Sequence, residues 1–247
     1  MKIGLLREGK VPPDERVALT PEQCVELKRV WPEVELVVQE SEVRRIPAEE
    51  YVSAGIEMVS DVSDCDILIG VKEVNEEDLI EGKTFLFFSH TYKLQPYNAK
   101  LLKAVLDKKV SLIDYEMLKK PDGRRIIGFG RWAGIVGAYN GLRAWGLREK
   151  SFQLPRAIDG KDLEEMIASA RSIVYPKGMK IVLTGFGRVG LGAAELLDAV
   201  GIPKVEKDEF LAGEVTDGPI YTHIGLEDYN ARIDGKEFDR ESFKADP

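Results

Sequence analysis

The stretch that most limits what this chain can fold into is residues 179–200, MKIVLTGFGRVGLGAAELLDAV. An apolar run of strand length, 179–184, leads directly into Gly185-Phe186-Gly187-Arg188-Val189-Gly190. An apolar helical repeat follows over 191–200. Strand, glycine loop and helix in immediate succession belong to a parallel-sheet unit, because the glycines permit the tight turn that starts a helix against its own strand. The unpaired N–H groups of that helix then face whatever lies over the loop, and a pyrophosphate is held this way. The stretch predicts a dinucleotide-binding unit with Gly185, Gly187, Arg188, Val189 and Gly190 as its contacts. The acidic residue that grips a ribose is expected about twenty residues on, at the end of the next strand. GIPKVEKDEF offers Glu206, Asp208 and Glu209 there, Asp208 the central one of the three, and spacing does not choose among them. An acidic partner favours NAD over NADP, a preference that Arg188 inside the loop weakens.

The rest of the chain alternates in the same manner. Strands are predicted over 2–6, 34–39, 56–60, 66–71, 84–89 and 110–115, with helices over 22–30, 47–54 and 96–109 between them. Thr20 and Pro21 form a helix start, and Gly55 a helix stop. Strand and helix in turn give an α/β protein with two Rossmann-like domains and mostly parallel sheets. Residues 126–149 carry Gly128, Gly130, Ala133, Gly134, Gly137, Ala138, Gly141 and Ala144 at spacings that line one helix face with small residues. Such a face suits packing between domains or a tight helix–sheet contact. The domains are placed at 1–133 for substrate and catalysis, and 134–247 for a linker helix and cofactor unit. An amphipathic helix is expected over 160–174. A dinucleotide fold needs several strands after Asp208, yet the remainder is short, polar and turn-rich. The second domain is therefore expected to be incomplete, and the chain to be part of a longer protein.

A net charge of −8 with no basic block argues against nucleic acid as a partner. Cys24 and Cys65 read as reduced thiols of a cytoplasmic protein. No signal peptide or membrane-spanning apolar run is expected, and two histidines make a structural zinc site improbable. His223, in the polar tail, reads as a surface residue.

The chemistry is placed at residues 66–93. Two buried strand runs end in polar tips, Lys72-Glu73 and His90-Thr91-Tyr92-Lys93, separated by EVNEEDLIEGK, which is long enough for one short helix. Neighbouring parallel strands would bring Lys72 and His90 to one cleft, since ligands in open α/β sheets lie beyond the carboxyl ends of the strands. A Ser89–His90 dyad is set aside, because adjacent strand residues point to opposite faces.

These landmarks resemble the lysine-forming saccharopine dehydrogenases, within the wider group that holds alanine dehydrogenase and transhydrogenase. The resemblance rests on Arg16 in ERVALTP, Lys72 in VKE, His90 in SHTYK, Glu116 after Asp114-Tyr115, and DGRRIIGFGRWAG at 122–134. That last motif separates the subgroup from the alanine enzymes, and GIPKV after the glycine loop agrees with it. The resemblance implies oxidation of saccharopine with NAD as cofactor, followed by imine hydrolysis to lysine and 2-oxoglutarate. It assigns Lys72 to the amine proton and His90 to the water, with Glu73 and Glu116 tuning them. Substrate carboxylates would be held by Arg16, Lys93, Gln95 and Arg125, with Phe129 at the substrate backbone and Arg124 at the cofactor. Two other readings stay open: an alanine dehydrogenase-like enzyme, and a non-catalytic nucleotide-binding module.

Overall fold

In a computed structural model that describes residues 1–212 and 215–245, the apolar runs of the first half of the chain line up as six parallel strands. They are β1 (Lys2–Leu5), β2 (Glu35–Gln39), β3 (Glu57–Val59), β4 (Ile67–Ile69), β5 (Thr84–Phe87) and β6 (Ser111–Asp114), in the order β3-β2-β1-β4-β5-β6. The chain builds outward from β1 on one side, then crosses back to start again with β4 on the other. The carboxyl ends of β1 and β4 thus part at the point where the strand order reverses, the place where an open sheet leaves a crevice.

Alternation along the strands fills both faces of this sheet. Leu36 and Val38 join Ile3, Leu5, Cys24 and Tyr51 on one face, while Val37 joins Leu68, Phe85, Phe87, Leu101 and Val105 on the other. The thiols of Cys24 and Cys65 are free, lie in these two different layers, and are each pushed by burial up to about 11. Helix α1 (Pro21–Val30) starts on a capping box, in which Thr20 Oγ1 accepts from Gln23 N–H and the Gln23 side chain accepts from Thr20 N–H. Helices α2 (Ala48–Ser53) and α3 (Ala99–Asp107) complete two further crossovers.

Between β4 and β5 the expected short helix is replaced by one 3₁₀ turn, Glu76–Asp78. Three consecutive acidic residues supply no apolar stripe, and a helix this short depends on burying one. Leu79 anchors the connection in the core, with Val74 and Ile80 packed beside it.

The second unit begins at Phe129, a few residues before the boundary read from the sequence; the two units are Met1–Gly128 and Phe129–Pro247. It contains α4 (Gly130–Glu149), α5 (Leu163–Arg171), β7 (Lys180–Thr184), α6 (Arg188–Val200), α7 (Lys207–Leu211), β8 (Ile220–Ile224) and α8 (Arg240–Ala245). Strands β7 and β8 pair in parallel, and Lys204 adds a parallel bridge to Tyr221. The tail read as polar and turn-rich therefore supplies a strand, whose Ile220 and Tyr221 are buried. The small residues of α4 meet another helix, α6, where the spacing suggested a second domain or a sheet. A Cβ on Gly134 would lie 1.9 Å from the Val189 carbonyl oxygen, and one on Gly192 would lie 2.1 Å from that of Arg131. Only glycine lets these two backbones come so close. No helix among the described residues is long and apolar enough to cross a membrane.

Candidate active site

At the crevice between β1 and β4, a side chain continues what the sheet's backbone begins. The ladder runs through Leu6 N–H to Ile69 O (2.9 Å). One step further, the carboxylate of Glu8 accepts from the N–H groups of Val71 (2.7 Å) and Lys72 (2.8 Å). Burial pushes the Glu8 carboxyl up, and these two backbone donors only partly offset it. Lys72, Glu73 and Glu8 line a cavity of about 250 Å³, together with Gln39 and Asn75. Asp14 lies within reach of the same charges. A hydrogen bond from the Arg16 guanidinium holds its carboxyl below the ordinary value, and the Lys72 charge adds to the effect.

The tip of β5 brings the second half of the cluster. His90 sits in left-handed backbone (φ 56°, ψ 5°), as does Leu94 four positions on (φ 53°, ψ 30°). For residues with a Cβ this conformation costs on the order of 1 kcal/mol or more, and it aims the tip of the strand away from the sheet. The His90 ring lies over Phe88, which Tyr115 meets edge-on. Nδ1 of His90 is 2.5 Å from Glu73 Oε1, and Lys10 Nζ is 2.9 Å from Glu73 Oε2. Burial pushes the Glu73 carboxyl up, but the hydrogen bonds from His90 and Lys10 outweigh it, and the net displacement is downward. An ionised Glu73 accepts Nδ1–H, which leaves Nε2 of neutral His90 as the ring's acceptor.

Nε2 faces Glu116 Oε2 at 3.9 Å. Glu116 is buried yet carries charge partners: Arg125 donates to Oε1 at 2.8 Å, and Lys93 Nζ stands 3.2 Å from Oε2. The Lys93 contact is an ion pair without hydrogen-bond alignment, so Oε2 retains room for one further donor. Tyr92 Oη accepts from Arg125 at 3.1 Å.

Glu73, His90, Lys93, Glu116 and Arg125 thus form one connected group, with Lys72 and Arg16 reached through the Glu8–Asp14 side of the crevice. Ser89 takes no part in it. Its hydroxyl donates to Asp114 (2.5 Å) and contacts Thr91 (2.8 Å), while His90 departs through its left-handed turn. Gln95 is exposed at the 3₁₀ turn ahead of α3. Arg124 is exposed and paired with Asp122 of its own turn (2.7 Å). Phe129 lies in the second unit as the N-cap of α4. The sequence reading did not single out Glu8, Lys10 or Asp14. Their signal was the charge crowded into REGKVPPDER immediately beyond the end of a strand.

In the second unit the glycine loop has the shape its motif requires. Gly185 has φ +83°, and a Cβ on Gly190 would fall 1.8 Å from the Gly185 carbonyl oxygen. Gly187 has nothing within 4 Å of its Cβ position, which leaves an open approach at the start of α6. The residues present fit a pyrophosphate there.

Asp208, expected at the end of the next strand, lies inside α7 and is exposed. Residues 202–219, with α7 among them, intervene before the chain returns to pair with β7 as β8. The acidic residues that follow this neighbouring strand are Glu227 and Asp228. Asp228 accepts from Gly225 N–H (2.8 Å) and from Lys207 (2.6 Å). His223 is not a surface residue either. It belongs to β8, stacks on Phe186 and bonds to Gly185 O.

Two α/β units, one with an ionisable cluster at a strand-order reversal and one with a strand–glycine loop–helix turn, define the Rossmann-like class. Within that class the chain belongs to the family described as alanine dehydrogenase/PNT, N-terminal domain, whose family model matches residues 4–136. Similar proteins include the mitochondrial alpha-aminoadipic semialdehyde synthase of Mus musculus, 33% identical over 224 residues, covering 84% of this chain and 24% of that protein. The saccharopine dehydrogenase [NAD(+), L-lysine-forming] of Yarrowia lipolytica is 31% identical over 219 residues, covering 83% of this chain and 58% of that protein. Among solved structures, an L-alanine dehydrogenase matches with a TM-score of 0.58 at 16% identity, covering 91% of this chain and 61% of that one. The chain spans less than two thirds of each of these relatives.

Proposed function

We propose that this chain carries the substrate-handling unit and the glycine loop of an NAD-dependent, L-lysine-forming saccharopine dehydrogenase. The observation that carries the reading is His90, held between Glu73 and Glu116 at the sheet's crevice, with Lys72 on the adjoining strand end. The overall reaction turns saccharopine, NAD⁺ and water into lysine, 2-oxoglutarate, NADH and a proton. NAD, gripped by Gly185, Gly187, Arg188, Val189 and Gly190, would supply the hydride acceptor.

The chain's own residues handle protons and charge. Lys72 takes the proton of the substrate's secondary amine, which frees a lone pair for the C=N bond. Nε2 of His90 takes a proton from the water that adds to that carbon. The Nδ1–H bond to Glu73 steadies the positive charge the ring then carries, as a carboxylate behind a general base does. Arg16, Lys93, Gln95 and Arg125 offer donors to the substrate carboxylates, and planar guanidinium forks suit such ligands. Phe129 and Arg124 are assigned to the substrate backbone and the cofactor. The ribose contact is assigned to the Glu227-Asp228 turn in place of Asp208.

The test uses the full-length gene product. NADH oxidation is followed with lysine plus 2-oxoglutarate and, separately, with pyruvate plus ammonia. Turnover with the first pair alone is expected. Turnover with the second pair alone would move the protein to the alanine branch, and silence in both would remove the assignment.

A further inference from the structure

The glycine loop does not hold its own shape; β8 holds it. Both polar groups of Gly185 are taken by that strand: its N–H donates to Ile224 O at 2.9 Å, and its carbonyl oxygen lies 2.7 Å from His223 Nε2. A carbonyl only accepts, so Nε2 carries the proton. The imidazole also lies on the Phe186 ring, with centroids 4.2 Å apart and planes 28° from parallel. Nε2 would be 3.3 Å from a Cβ on Gly190, the same position that the Gly185 oxygen closes off. One histidine therefore touches the first two residues of the GFGRVG turn and borders the space beside the last.

We infer that His223 is a positioning residue for the nucleotide loop, fixing the orientation of the Gly185–Phe186 peptide. The inference rests on the reading of this loop as a pyrophosphate cradle and deepens it. In a trans peptide the C=O of one residue and the N–H of the next point in opposite directions. With the Gly185 oxygen held against His223, the Phe186 N–H faces away from β8. If the peptide turned over, it would present an oxygen in that direction, and an oxygen repels a phosphate where an N–H attracts it. Gly185, at φ +83°, has no Cβ to resist such a rotation, so the restraint comes from its partners. His223 would thus act on nucleotide affinity without touching the nucleotide.

The experiment uses the full-length protein with NADH and, as a pyrophosphate probe, ADP. His223→Leu keeps bulk and removes the donor; His223→Gln restores an N–H donor. His223→Leu is expected to weaken both ligands about tenfold, the scale of one lost hydrogen bond, with kcat at saturating NADH within about twofold of the unsubstituted protein. His223→Gln should recover most of the affinity. In the unsubstituted protein, ¹⁵N spectra should show the Nε2–H tautomer of His223 without any ligand. The Nδ1–H tautomer would overturn the inference, as would undiminished affinity in His223→Leu. Equal loss of affinity and melting temperature in both variants would also overturn it, by reducing His223 to a structural residue. If the unsubstituted protein binds neither NADH nor ADP, the cradle reading fails and the inference with it; the tautomer measurement separates the two failures.

Discussion

At the scale of single residues, the crevice contains two carboxylates displaced in opposite directions. Glu73 is held below its ordinary value, so the stability it confers is present above about pH 4.5 and is lost as the pH falls through its folded value. Glu8 is raised, so its contribution is full below about pH 4.5 and is lost as the pH rises through its folded value. Melting temperatures taken at pH 4 and pH 7 should therefore move in opposite senses for two variants. Relative to the unsubstituted protein, Glu73→Gln should lose stability with rising pH and Glu8→Gln should gain it. Parallel trends would show that the two carboxylates do not sit in the environments described. Activity provides a separate check. Lys72→Met should lower turnover by at least about a hundredfold while NADH binding, measured by fluorescence, persists; unchanged turnover would remove Lys72 from the chemistry.

At the scale of elements, the crossing of α4 and α6 makes a contrast available within one helix. Gly134 faces a backbone carbonyl where its Cβ would be, whereas Gly137 has nothing within 4 Å. Gly134→Ala should destabilise the second unit by about 1–3 kcal/mol through overpacking. Gly137→Ala should be neutral, or stabilising by up to about 1 kcal/mol; denaturant unfolding of each variant reads the difference. The small-residue stripe was legible in the sequence because it is periodic. Its partner was not, because periodicity states how close a neighbour may come and not which element it is. The parallel pairing of the two apolar runs around Lys72 and His90 was legible for a similar reason, since each run ends in a sharp polar tip. Glu8 and His223 were not. Each acts through a backbone group remote in sequence, Glu8 on Val71 and Lys72, His223 on Gly185, and no local pattern marks such a bond. Asp208 was misplaced because spacing assumes an uninterrupted return of the chain, and α7 interrupts it.

At the scale of the whole molecule, every ion pair described around the crevice lies within residues 8–125, and the six-stranded sheet buries both its faces using the same stretch of chain. A protein comprising residues 1–128 should therefore unfold cooperatively on its own, with coincident loss of far-ultraviolet and aromatic circular dichroism; gradual, non-coincident loss would count against an independent unit. Three cations around the crevice are already paired before any ligand arrives: Lys10 with Glu73, Arg16 with Asp14, and Arg125 with Glu116. An incoming carboxylate that approached one of these three cations would have to displace a resident one. Recognition through these three cations would be a trade of partners, in which a ligand would be selected by how many resident carboxylates it can replace at once. A single acid group would exchange one bond for another at little gain, whereas a molecule carrying several acid groups at the right separations could replace them together.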